Sequence, residues 1–253
     1  MLLAIDIGNT NTVLGAFDGE KLVDSWRVKT DSRTTADEMA LQWRGLLDEI
    51  EVDGISVCST VPAVLHEVRG LLARYYADVS SIIVEPGVKT GVPLLYDNPR
   101  ELGADRIANA VAAREQFGAP VIVVDFGTST NFDIVGPDGD FVGGVLAPGI
   151  ETSMEALFSR AARLVKVDYA EPPQVIGKTT EQALRSGLVY GFAGQVDGIV
   201  DAIRGQLGAE AKAVATGGLA DLIAPHSRTI SHVEPFLTLE GLRLVWERNR
   251  ESL

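Results

Sequence analysis

The chain has 253 residues, enough for one large domain or for two of about 100–150 residues each. Hydrophobic residues make up 46% and charged residues 23%, near the averages for soluble globular domains, which excludes intrinsic disorder; no apolar run approaches the roughly 20 residues that a bilayer span needs. The net charge of −13, from 22 Lys and Arg against 35 Asp and Glu, repels a nucleic-acid backbone, and no local basic patch points to a nucleic-acid partner.

In chain order, short apolar runs alternate with stretches of helical period, the pattern of an α/β protein. Strands are expected at Leu2–Ile5, Ile55–Cys58, Ser81–Val84, Val121–Val124 and Ala213–Ala215. Helices are expected at Ala36–Ile50, Pro62–Tyr76, Asp105–Phe117, Glu151–Leu164, Thr180–Leu207 and Leu239–Asn249. Gly187, Gly191, Gly194 and Gly198 interrupt the longest helix and would permit close approach of a neighbour. The amino terminus runs straight into Leu2-Leu3-Ala4-Ile5 with no basic region, and Asp6 stands where a leader's apolar core would continue. With Cys58 as the single cysteine, no internal disulfide can form. Both features lead us to expect a cytoplasmic protein without membrane segments.

An internal repeat organises the chain. Laid on itself 119 residues along, Leu2–Thr12 falls on Val121–Asn131, and Asp6-x-Gly8 falls on Asp125-x-Gly127. Each copy then reaches a second turn, Asp18-Gly19 or Asp138-Gly139, of the kind that favours a tight hairpin. Two similar α/β halves are therefore expected, residues 1–117 and 118–253, with the boundary near Gln116–Pro120.

The repeated turn has a chemical reading. A carboxylate at a strand end, followed by Gly and by hydroxyl and amide side chains, suits a nucleotide's phosphates held through a hydrated cation. The plainer reading of each copy is an Asx-type turn closed by Asn and Thr. There is no Gly-x-x-x-x-Gly-Lys-Ser/Thr loop, and His66, His226 and His232 lack metal-ligand spacing with Cys58.

The ordered set Asp6-x-Gly8-Asn9-Thr10-Asn11, Gly103-Ala104-Asp105-Arg106 after Tyr96, Asp125-x-Gly127-Thr128, Gly143-Gly144-x-x-x-Pro148-Gly149 and Thr216-Gly217-Gly218 resembles the type III pantothenate kinases. The resemblance runs over essentially the whole chain. It implies two ribonuclease-H-like domains of the acetate and sugar kinase, Hsp70 and actin superfamily, with a cleft between them. It also implies phosphorylation of pantothenate to 4'-phosphopantothenate by ATP, the first step of coenzyme A synthesis. Mg²⁺, a monovalent cation (K⁺ or NH₄⁺) and a homodimer are implied with it.

Position by position, the resemblance makes Asp6, Ile7, Gly8, Asn9, Thr10, Asn11, Thr12 and Val13 the ATP phosphate loop, Asp6 acting on Mg²⁺ through water. It makes Gly103, Ala104, Asp105 and Arg106 the pantothenate segment, with Asp105 as proton acceptor, and adds Tyr96 and Thr180 as further pantothenate contacts. Asp125 becomes the monovalent-cation ligand and Thr128 an ATP contact. Ser129 and Asn131 depart from the family's Asp-x-Gly-Thr-Ala-x-Thr loop. The alternatives are a kinase of the same superfamily with another small acceptor, and a non-catalytic transcription accessory regulator on the same fold.

Overall fold

The computed structural model describes residues 1–161 and 166–252. The end of the helix expected over Glu151–Leu164, at Leu164, lies outside them. The chain divides into two compact units, Met1–Ala112 with Leu237–Leu253, and Ala113–Phe236.

The first unit opens with β1 (Leu2–Ile7), β2 (Asn11–Asp18) and β3 (Lys21–Lys29), followed by α1 (Ala36–Leu47), β4 (Gly54–Ser59), α2 (Pro62–Tyr75) and β5 (Ser80–Ile83). The helix α3 (Ala104–Phe117) crosses the division between the units. The sheet order is β3-β2-β1-β4-β5, antiparallel at the hairpins and parallel from β1 through β4 to β5. β1 is central and nearly all apolar because both of its faces are covered.

One face buries Leu3, Ile5, Ile7, Leu14, Ile55 and Val57 against Met39, Trp43 and Leu47 of α1 and Val64, Val68 and Leu71 of α2. Burying each such side chain stabilises the fold by about 1.5–3 kcal/mol. A reciprocal cap starts α1: Thr35 Oγ1 accepts from Glu38 N at 3.3 Å, and Glu38 Oε2 accepts from Thr35 N at 2.9 Å. Asp48, at φ 45°, ends it short of the expected Ile50.

The second unit repeats this order with β6 (Val121–Phe126), β7 (Ser129–Val135), β8 (Phe141–Pro148), α4 (Ile150–Arg160), α5 (Thr180–Leu207), β9 (Lys212–Thr216), α6 (Ala220–Ile223) and β10 (Ile230–Val233). Its sheet runs β10-β9-β6-β7-β8, the same path as the first when β6 is matched to β1. The burial patterns of β1 and β6 are identical, with the Asp as the one position not fully buried.

Further details depart from expectation. In the first hairpin Ile7 faces Thr12, and in the second Phe126 faces Thr130, so the second tip is one residue shorter and the equivalence beyond it shifts. Asn131 therefore matches Val13, not Thr12. The Asp18-Gly19 turn is tight, with Asp18 facing Lys21, whereas the Asp138-Gly139 turn is wider and closes through Gly136 N to Asp140 O at 2.8 Å. Added Cβ atoms at Gly187, Gly191, Gly194 and Gly198 would meet nothing within 4 Å, so no described neighbour approaches them.

The final helix, α7 (Leu237–Asn249), was placed by sequence in the 118–253 half but packs on β1, β4 and β2 of the first unit. It covers the face opposite α1 and α2: Leu239 lies over Gly15, the Trp246 ring lies over Gly54, and Ser56 Oγ donates to Leu242 O at 2.9 Å. Gly241 sits against the Ala108 carbonyl of α3, where a Cβ would overlap backbone. Helix propensity favours Ala over Gly by about 1 kcal/mol, but overpacking against a rigid carbonyl costs about 1–3 kcal/mol or more. Gly241→Ala is thus expected to lower the urea midpoint, and an unchanged or higher midpoint would contradict this packing.

Candidate functional site

In the first unit, β1 places Asp6 one residue before the strand end, on the face opposite the α1/α2 core. Its antiparallel partner is Val13 and its parallel partner Cys58. The buried Cys58 thiol donates to Asp6 Oδ1 at 3.2 Å. Burial, the largest influence, pushes the thiol pKa well up; the charges of Asp6 and Asp105 and the bond to Asp6 push it the same way. Cys58 is accordingly a protonated donor. Sequence reasoning missed it, because only the parallel register of β1 and β4 brings residue 58 beside residue 6.

The β1–β2 tip is fixed by its own backbone. Gly8 N donates to Asn11 O at 3.0 Å, and Thr30 N of the following segment donates to Thr10 O at 3.0 Å. The Thr12 and Thr30 hydroxyls share a 2.9 Å hydrogen bond. Asn9 and Thr10 are exposed, while Ile7 is buried and Val13 half-buried. The phosphate-loop residues predicted from sequence thus form one hydrogen-bonded turn with its polar tip in solvent.

Gly103–Arg106 opens α3. The Gly103 carbonyl accepts from Ile107 N at 3.2 Å, which places Asp105 in the first helical turn, where the helix dipole favours a carboxylate. Gly103 makes room for it, since a Cβ there would fall on Asp105 Oδ1. That oxygen is buried and has no hydrogen-bond partner among the described residues. Burial, the dominant cause, raises the Asp105 pKa above its usual value, and the Asp105 and Arg106 backbone amides and the Arg106 charge only partly oppose this. Arg106 is itself buried. Tyr96 is half-buried in the same unit, shortly before the 3-10 turn Pro99–Glu101. Asp6 accepts from the buried Cys58 thiol, and the charge of Asp105, read from a separate motif, also raises the pKa of that thiol.

In the second unit, Asp125 has Thr216 of β9 as its parallel partner, the position equivalent to Cys58. The next residue, Gly217, has φ 93°, and a Cβ there would lie 2.6 Å from both Asp125 Oδ1 and the Phe126 carbonyl oxygen. A carboxylate and a carbonyl oxygen are thus packed around a glycine. Gly127 N donates to Ser129 O at 3.0 Å, and the Thr128 carbonyl accepts from Gly149 N at 3.2 Å and Thr152 Oγ1 at 2.8 Å. The two departures from the family loop engage each other: Ser129 Oγ donates to Asn131 Oδ1 at 2.6 Å. Thr180 is the exposed first residue of α5; the cap is its neighbour Thr179, which accepts from Gln182 N at 3.2 Å.

The donor sets bear on which ions fit. Among the described residues, no group of three or more His, Cys, Asp or Glu side chains can hold a metal by itself. A lone carboxylate such as Asp6 suits a cation that brings its own waters and phosphate ligands, as Mg²⁺ does. The Asp125 carboxylate and the Phe126 carbonyl oxygen packed at Gly217 are hard oxygen donors of the kind that suit a hard cation of low charge.

Residues 2–202 match the family profile described as Type III pantothenate kinase. The chain is 60% identical over 249 residues to the Type III pantothenate kinase of Frankia alni, covering 98% of this chain and 100% of that protein. It is 56% identical over 261 residues to that of Streptomyces coelicolor, covering 98% of each. Among solved structures it resembles a Baf family protein from Campylobacter jejuni, with a TM-score of 0.61 at 22% identity over 98% of this chain and 99% of that one. It also resembles a ROK family protein from Streptococcus pneumoniae, with a TM-score of 0.51 at 11% identity over 100% and 99%. At these identities the structural likeness is one of fold.

The raised Asp105 pKa has a stability consequence. The folded chain holds the Asp105 proton more tightly than the unfolded chain, so stability is lost as pH rises through the folded pKa. Asp105→Asn is expected to melt higher than the parent at pH 7, with the gap closing as pH falls to the ordinary carboxylate range. A gap that is absent at pH 7, or the same at every pH, would refute the assignment.

Proposed function

The chain belongs to the type III pantothenate kinases, and on that premise we propose how its own residues carry the reaction. The activity is phosphorylation of pantothenate by ATP with a divalent metal ion, in coenzyme A synthesis. The observation that carries the proposal is the buried, partnerless Asp105 Oδ1, whose charge reaches the same thiol as that of Asp6.

Phosphoryl transfer to an alcohol is chiefly alignment and charge compensation. The pantothenate hydroxyl oxygen forms its bond to the γ-phosphorus as the bond from that phosphorus to the β–γ bridging oxygen breaks. The hydroxyl proton passes to Asp105. Burial makes Asp105 a better acceptor by raising its proton affinity, and Oδ1 has no internal partner to give up. Arg106 presents a planar fork of donors to the transferring phosphoryl oxygens. Gly103 and Ala104 let the substrate approach the start of α3, and Tyr96 and Thr180 add pantothenate contacts.

The tip from Asp6 to Val13, with Thr128, holds the ATP phosphates. Asp6 would hold Mg²⁺ through water and Asp125 a potassium or ammonium ion; when bound, these cations neutralise phosphate charge. The protein acts in the cytoplasm, a reading supported by its free Cys58. Among the described residues no helix is long and apolar enough to cross a membrane.

It acts as a homodimer. Support for this comes from α5, which exposes Gly187, Gly191, Gly194 and Gly198 with open space over each, a surface on which a second helix can pack closely. Sedimentation equilibrium is expected to give twice the chain mass of 27.0 kDa, and Gly191→Leu with Gly194→Leu to give the monomer; a monomeric parent would end the dimer reading.

For the catalytic assignment, ADP release with pantothenate is expected to be faster in K⁺ or NH₄⁺ than in Na⁺. It is expected to fall about 10²–10⁴-fold in Asp105→Asn, while affinity for ATP stays near that of the parent. Parent-like turnover in that variant would remove Asp105 as the proton acceptor.

A further inference from the structure

We propose that Arg27, with Lys29 two residues further along β3, is a phosphate-binding edge of the nucleotide site, contributed by a strand outside every motif. The inference rests on the reading of Asp6–Val13 as the ATP phosphate loop.

Register carries the argument. Cys58 of β4 faces Asp6 of β1, Asp6 faces Val13 of β2, and Val13 faces Arg27 of β3. Cross-strand partners share a face, so these four residues form one row across the sheet, on the side away from the α1/α2 core. Asn11, at the hairpin tip, faces Lys29 on that same side. Asp6 and Arg27 are two strand spacings apart, roughly 10 Å, with uncharged Val13 between them. The row thus runs from the carboxylate that suits a hydrated cation to a guanidinium that suits bare phosphate oxygens.

Arg27 and Lys29 are both exposed, and among the described residues neither makes a side-chain hydrogen bond or ion pair. Arg33, Arg69, Arg74, Arg185, Arg228 and Arg243 pair with carboxylates. Among the described residues Lys21 and Arg100 do not either, and it is the place of Arg27 and Lys29 in the Asp6 row and beside the hairpin tip that sets them apart. Asp31, the acid whose pKa registers the Lys29 charge, is already bonded to Arg33. In a chain of net charge −13, unpaired cations beside a polar hairpin tip mark a place where the anion comes from the ligand. An arginine fork binds phosphate in two-point fashion, and a lysine adds a point charge.

The test is calorimetric titration of the full-length protein with Mg·AMP-PNP, Mg·ADP and AMP. Arg27→Ala and Arg27→Gln are expected to weaken Mg·AMP-PNP about tenfold or more, with a smaller loss for Mg·ADP and none for AMP; Arg27→Lys recovers part. Lys29→Ala is expected to cost roughly threefold, fading at high salt. Lys21→Ala, at the far end of β3, leaves all three unchanged. Parent-like binding by the Arg27 variants alongside weakened binding by Asp6→Asn would overturn the proposal and spare the loop assignment. Parent-like binding by Asp6→Asn as well would overturn both. An equal loss from Lys21→Ala would reduce the effect to the general field of the protein and overturn the proposal.

Discussion

A carboxylate desolvated at the start of a helix is costly, and the first unit offsets part of that cost. Burial disfavours the charge on Asp105. The offsets are local: a protonated Cys58 donates to Asp6, and the first turn of α3 and the Arg106 charge oppose the desolvation of Asp105. They are incomplete, and Asp105 keeps an oxygen with no partner among the described residues. A group held in that state has a high proton affinity and an open acceptor site, the two properties a proton acceptor needs.

The duplicated frame shows how one scaffold supplies two environments. Asp6 and Asp125 occupy the same place in strands of identical burial pattern, each between an antiparallel and a parallel neighbour. On the parallel side the first has a cysteine and the second a threonine followed by left-handed Gly217. The former places a donor on the carboxylate. The latter lets the Phe126 backbone and the carboxylate pack together at the glycine. The shorter second tip and the Ser129–Asn131 hydrogen bond widen the difference between the two loops without disturbing either sheet.

The same face of the first sheet is completed by residues from the far end of the sequence. α7 needs Gly15 and Gly54 beneath it and Gly241 against α3, so three glycines with no role in chemistry fix how close the last helix comes. Its Ser56 and Trp246 contacts lie on the face that carries Asp6 and Cys58. Packing of the carboxyl terminus is thereby coupled to the surroundings of a residue near the amino terminus.

The sequence by itself determined the α/β class, the repeat and most element positions. Apolar periodicity and Asp-x-Gly punctuation are local, and each strand of the repeat had to bury the same pattern. It also singled out Asp6, Asp105 and Asp125 as candidate site carboxylates, since each sits in a motif of contiguous residues. Tertiary structure decided what no local pattern encodes. The parallel register of β1 with β4 put Cys58 on Asp6, and the pairing of β3 with β2 put Arg27 in the Asp6 row. The return of α7 to the first unit depended on shape matching at Gly54 and Gly241, and the shorter second tip altered which residues are equivalent. Pairing between strands distant in sequence and close packing at glycines are properties of the folded chain, because the energy that selects them is the burial and hydrogen bonding of several segments at once.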